Sequence, residues 1–328
     1  MLVNSFQITE EMEKTYLSQI SACENFIKDL NNKFDDSNMI LDTNINKKNP
    51  LIHLTKNYLK ENANLAKNCL NDIYDENLSI YKSDYENFPY VIQSTNLVTV
   101  PETRGMQLEI DQDFNKTDFD KFNEILINLN MVMSQNWRNF VSIIKSISFI
   151  KFEGRTDTKY FSGSYLPALG SMHMCKPFDT LSILECLTHE SSHFWLDQLE
   201  KNNEFAKDGW NKNEYYSPWR EDKRPINGVV HGIYVFSNVA LALNEFKTNN
   251  ASEEDSSLMA RICDLISQVE QGIEEMKICP DILKLGRDIQ NLSQDNIKFL
   301  YENIDLSQLD LSRKKISNRK KEKIANWN

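Results

Sequence analysis

The stretch His189-Glu190-Ser191-Ser192-His193 constrains this chain more than any other, because it fixes both a secondary structure and the chemistry that structure must carry. Side chains four apart on an α-helix project from one face about one turn from each other, so His189 and His193 can reach a single metal ion without strain. The surrounding sequence predicts such a helix over about residues 179–199. Asp179 or Thr180 can cap its start, and Ile183, Leu184, Leu187 and Phe194 form an apolar face. The chain has five histidines, and this motif uses two of them. The alternative is a pair of ordinary helix histidines, which the five-residue pattern alone does not exclude.

A metal site needs more protein ligands than two. His231 is the first candidate for the third, since it lies one turn into an apolar stretch where an unpartnered imidazole is costly to bury. Competing readings are a satisfied core histidine at 231, Glu245 as the ligand, and His173 from a strand that passes the site. His53 is remote in sequence and is read as a surface residue. Glu190 points toward the edge of the same pocket. The aromatic, proline-containing loop 215–225 adds a different signal. Arg220 and Arg224 are two guanidiniums in a segment stiffened by Pro218 and Pro225, a pattern suited to gripping a carboxylate bidentately. Both can instead pair with Glu221 and Asp222. Tyr216 and Trp219 either line a substrate groove or pack against the core.

The rest of the composition narrows the field. With 48 acidic against 37 basic residues, the net charge of −11 repels phosphate backbones and argues against nucleic acid as a partner. The exception is local: Arg313, Lys314, Lys315, Arg319, Lys320, Lys321 and Lys323 either touch an acidic partner or form a solvated, frayed end. No charged-then-apolar signal opens the sequence, so the chain is expected in the cytoplasm. The apolar stretch 228–243 is shorter than the ~20 residues that cross a bilayer and contains His231 and Asn238, so it reads as a buried helix and not a membrane span. Cys23, Cys69, Cys175, Cys186, Cys263 and Cys279 lie far apart with no CxxC pair, which predicts reduced, mostly buried thiols.

Along the chain, 1–100 reads as a helical N-terminal region, with amphipathic runs at 10–33 and 51–73. Residues 101–250 read as a catalytic core, and 251–328 as a helical C-terminal region with the basic tail, the three forming one compact unit. Within the core, alternating runs predict strands around 91–110, 147–152 and 160–175. Apolar periodicity predicts a helix over 119–144 and another over 228–247, the latter capped by Asn227. The expected fold is α+β: mostly helical, with a small, mainly antiparallel sheet packed on the metal-binding helix.

Three segments together have a family likeness. Leu187-Thr188-His189-Glu190-Ser191-Ser192-His193, Tyr216-Ser217-Pro218-Trp219-Arg220-Glu221-Asp222-Lys223-Arg224-Pro225 and Gly228-Val229-Val230-His231-Gly232-Ile233-Tyr234 resemble the HExxH-motif peptide-modification proteins, the αKG-HExxH-type peptide β-hydroxylases. Ser162-Gly163-Ser164, with Gly170 and Ser171, is similar to that family's strand before the motif. The resemblance spans about residues 160–245. It implies an iron(II)- and 2-oxoglutarate-dependent enzyme that hydroxylates a side-chain β-carbon of a ribosomally made precursor peptide. By the same resemblance His189, His193 and His231 are the metal ligands, Arg220 and Arg224 hold the cosubstrate, and Glu190 hydrogen-bonds beside the metal. Other members carry Gln where His231 stands and a His further along; no His follows His231 here. The competing enzyme is a zinc metallopeptidase with Glu190 as general base, and a third reading is a peptide-binding protein without catalysis.

Overall fold

The computed structural model describes residues 10–15, 17–18, 79–81, 83, 89–93, 108–111, 113–152, 162–164, 170–176, 179–201, 203–250 and 256–327. His53, Cys23, Cys69, the run 51–73 and most of the run 10–33 lie outside the described residues. Among the described residues, six strands are present: β1 (Ser79–Tyr81), β2 (Tyr90–Gln93), β3 (Leu108–Ile110), β4 (Ser146–Phe152), β5 (Ser162–Ser164) and β6 (Ser171–Cys175). Besides the helical residues 10–15 and 17–18, the helices among the described residues are α1 (Lys116–Val132), α2 (Gln135–Val141), α3 (Thr180–Glu200), α4 (Ile226–Asn249), α5 (Ser256–Ile278), α6 (Lys284–Tyr301) and α7 (Leu306–Trp327). The architecture is α+β and mostly helical.

The chain divides into two compact units, one spanning 8–131 with 139–194 and the other holding 132–138 with 195–328. The first contains the sheet. Its strand order is β1-β2-β4-β6-β5, with β3 paired to the far end of β4. The expectation of a mainly antiparallel sheet is corrected to a mixed one, because β2, β4 and β6 run parallel and antiparallel pairing is confined to β1, β3 and β5. Parallel neighbours cannot be joined by a tight hairpin, and β5, antiparallel to β6, stands between β4 and β6 in the sequence.

Period-two alternation sorts the side chains of this sheet by face. Ile147 and Phe149 of β4 pair with Met172 and Met174 of β6, and all four are almost fully buried. Phe149 stacks on Phe114 with ring centroids 4.5 Å apart and meets Phe122 of α1 edge-on at 5.3 Å. Burying aromatic rings of this size stabilises by ~2 kcal/mol or more each. Ser162 pairs with Met174 and so shares that face, whereas His173 pairs with Gly163 and Ser148 on the opposite one. Gly170 leads into β6 at φ 84°, a left-handed conformation that only glycine adopts without strain.

The second unit is built around α4, which packs on α5 and α6, while α7 lies along α5. Among the described residues α4 is the helix long and apolar enough to cross a membrane, and 83% of its most apolar window is buried inside the protein. It is a core helix, as its sequence predicts. Two helix readings change. The single helix expected over 119–144 is broken into α1 and α2, because Ser134 Oγ accepts the Trp137 N–H at 3.2 Å and the Glu245 carboxylate accepts the Ser134 N–H, so both caps start a new helix. The start of α4 is also earlier than expected: Pro225, extended at φ −63° and ψ 154°, occupies the N-cap, and Asn227 lies in the first turn.

Candidate metal centre

Helix α3 opens with Asp179, whose carboxylate accepts the Ser182 N–H at 2.8 Å and the Ser182 hydroxyl at 2.5 Å, as the sequence predicts. From there the helix is buried on nearly every side. Residues 182–184, 186–188, 190–192 and 194–199 are all buried, and between the two terminal residues the partly exposed positions are Leu181, Glu185, His189 and His193, four apart. That spacing is one face of a helix. The open stripe of an otherwise enclosed helix thus presents both motif histidines. Thr188, Ser191 and Ser192 are fully buried on the closed sides, where small side chains allow close packing.

The two imidazoles converge. His189 Nε2 and His193 Nε2 stand 3.2 Å apart, with the rings steeply inclined at 70°. Metal–nitrogen bonds of about 2.1 Å at tetrahedral or octahedral angles place two ligand nitrogens roughly 3.0–3.4 Å apart, so the pair fits a shared ion. Glu190 is 1% exposed and points off the stripe. Its Oε1 accepts the Ser162 hydroxyl of β5 at 2.5 Å and lies 4.0 Å from His189 Nε2. Ser162 also bonds Cys186, one turn earlier, while burial pushes that thiol up to about 12. A thiol so raised stays protonated at neutral pH. Cys175, Cys186, Cys263 and Cys279 are all free and buried.

His231 and Glu245 have other partners, and His173 lies on another sheet face. His173 lies on the sheet face opposite Ser162, and burial holds its imidazole down at about 4, hence neutral, with Nδ1 buried and unpartnered. His231 is 8% exposed, and its Nε2 is 2.9 Å from Glu200 Oε2. Glu200 also accepts Trp210 Nε1–H at 2.5 Å and Asn227 Nδ2–H at 3.1 Å. Burial pulls the Glu200 carboxyl upward, but the bonds and charge from His231, with those from Trp210 and Asn227, outweigh it and hold the group below the usual carboxylate range. Glu245 is spent on Ser134. Among the described residues, no three His, Cys, Asp or Glu side chains gather around one point as ligands.

No protein-family model and no curated protein matches this sequence.

Loop 215–225 is pinned at its base by paired backbone bonds between Tyr215 and Arg224, at 3.1 and 2.9 Å. Arg220 is exposed, while Arg224 Nη1 lies 3.5 Å from Asp222, the local pairing that the sequence left open. Trp219 stacks on Phe236 of α4 at 5.0 Å and is wedged between two glycines. A Cβ on Gly232 would sit 2.4 Å from its ring, and one on Gly272 would sit 2.9 Å from it. Its ring therefore packs the core between α4 and α5. Tyr216, 3% exposed, is likewise enclosed by Trp327 and Lys320.

Two contributors carry little signal of role in the sequence. Ser162 stands in the strand that resembles the family's, yet nothing local shows that its hydroxyl anchors Glu190. Glu200 follows His193 by seven positions, about two turns along the same helix face, which was the available hint.

Proposed function

We propose that this chain is an iron(II)- and 2-oxoglutarate-dependent hydroxylase acting on the β-carbon of a residue in a ribosomally synthesised peptide, in the cytoplasm. The observation that carries the metal site is the 3.2 Å approach of His189 and His193 on the open stripe of a buried helix. The resemblance over residues 160–245 carries the reaction class. His189 and His193 are the two ligands that fit an ion. His231 is the candidate third ligand from the resemblance, a role that requires it to leave Glu200. When bound, the iron supplies the redox chemistry that couples cosubstrate oxidation to insertion of oxygen into a C–H bond.

The chain's own residues have simpler tasks. Glu190, fixed by Ser162, restrains His189 from beside and needs no proton transfer of its own. Arg220 and Arg224 supply the guanidiniums for the far carboxylate of 2-oxoglutarate, which would replace Asp222 on Arg224. An anaerobic visible spectrum of the protein with iron(II), before and after 2-oxoglutarate, tests the proposal without knowledge of the peptide. The expected result is a new charge-transfer band that His193→Ala abolishes and Arg220→Ala weakens. Absence of the band alongside tight zinc binding overturns it.

One observation favours a second reading, a zinc metallopeptidase: Glu190 is a buried carboxylate held close to a metal-ligand imidazole, as a general base would be. Glu190→Gln separates the two. A peptidase loses nearly all activity, and the hydroxylase keeps part of it.

A further inference from the structure

Helix α7 carries Arg313, Lys314, Lys315, Arg319, Lys320, Lys321 and Lys323, a run of like charge that repels itself unless it is matched. The match is internal. Arg313 grips Glu270 of α5 bidentately at 2.9 and 2.5 Å, Lys315 pairs with Asp264 at 2.5 Å and Lys320 with Glu275 at 2.5 Å. The last turns of α7 reach instead to loop 215–225. Arg319 bonds Glu221 at 2.6 Å, Lys323 Nζ donates to the Arg220 carbonyl at 2.5 Å, and Trp327 Nε1 donates to the Glu221 carbonyl at 3.0 Å. Lys223 returns the contact by lying over the Trp327 ring at 5.4 Å.

These contacts differ in weight. The Arg319–Glu221 pair is largely exposed and contributes little. Lys323 is only 4% exposed, so its bond to the Arg220 carbonyl forms where water does not compete. With Tyr215 and Arg224 joined at the loop base and Trp219 wedged between α4 and α5, the backbone of Arg220 and Glu221 is held from both ends and from outside.

We propose that α7 is a built-in strap for the arginine loop, in which Lys323 and Trp327 are positioning residues that fix the Arg220–Glu221 backbone and so preset the loop's guanidiniums for an incoming carboxylate. The strap rests on the reading that Arg220 and Arg224 hold 2-oxoglutarate. A loop ordered before the ligand arrives spares the ordering cost at binding, which shows as affinity and not as turnover.

The test uses the full chain with Lys323→Met, which keeps the stem and removes the amine, and with Glu221→Gln, a surface change that leaves the fold undisturbed. Hydrogen exchange is read at the Tyr215 and Arg224 amides, with α5 amides as the folding control. 2-oxoglutarate is titrated into the iron(II)-loaded protein in parallel. The expected result is about tenfold faster exchange at the loop base and about tenfold weaker 2-oxoglutarate binding in Lys323→Met, with α5 exchange and iron(II) affinity unchanged. Glu221→Gln shifts both the same way by a smaller factor. Unchanged loop exchange in both variants overturns the strap. Faster loop exchange with unaltered 2-oxoglutarate affinity overturns the positioning role. If the wild type itself gives no 2-oxoglutarate response while the loop still loosens in the variants, the hydroxylase reading fails and α7 is a structural clamp alone.

Discussion

The middle and the end of helix α3 carry the same chemistry in different surroundings. Around its middle, His189 and His193 face an open stripe and meet each other at 3.2 Å. At its end, Glu200 meets His231 at 2.9 Å and collects two further donors, Trp210 and Asn227. One His–Glu neighbourhood is open and the other is saturated. A histidine near a carboxylate is therefore not a site by composition. What distinguishes a candidate metal centre from a structural joint is whether two ring nitrogens converge and whether a path from solvent reaches them.

The largest expected effect belongs to the open end. His193→Ala should lower iron(II) or zinc affinity at least ~100-fold, since one ligand cannot hold what two share, with the melting temperature nearly unchanged. Metal titration beside thermal unfolding measures both, and retained affinity would remove the pair from the site.

The saturated end should behave the opposite way. His231→Ala leaves Glu200, whose side chain is 19% exposed, without its strongest partner and should cost about 2 kcal/mol of stability in the metal-free protein. A ~100-fold loss of metal affinity in this variant would break the comparison and establish His231 as the third ligand.

Ser162→Ala sharpens the open end. Loss of the hydroxyl on buried Glu190 should cost about 1 kcal/mol in stability and several-fold in activity, because the carboxylate beside His189 is no longer fixed. Ser162→Thr, which retains the hydroxyl, should recover most of the activity, and an unrescued loss would mean that the strand itself has shifted.

The smallest effect is a pH dependence at the saturated end. Because the folded-state pKa of Glu200 lies below its unfolded value near 4.5, its stabilisation is complete above that value and is lost as pH falls through the lower, folded one. Denaturant midpoints of the wild type and Glu200→Gln should differ most at neutral pH and converge in acid. A gap that widens on acidification would contradict the sign.

Local pattern made much of this legible. The cap at Asp179, the apolar face of α3, the buried character of α4 and the convergence of the histidine pair all follow from spacing along one helix, where neighbours are set by 3.6 residues per turn. The break between α1 and α2 was hidden because the apolar period runs across it, and the Glu245 carboxylate that helps to cap Ser134 comes from 111 residues away. The basic tail read as a partner-binding or frayed segment, since its acids at Asp264, Glu270, Glu275 and Glu221 are invisible until the helices pack.

The sequence by itself therefore determined the helix that carries His189 and His193 and the chemistry those residues permit, because both depend on interactions within a few residues. Only the tertiary structure decided which carboxylate His231 meets, that Ser162 anchors Glu190, and that Trp219 fills the space over Gly232 and Gly272. Each of those depends on groups far apart in the chain, brought together by burial of apolar surface that is itself non-directional.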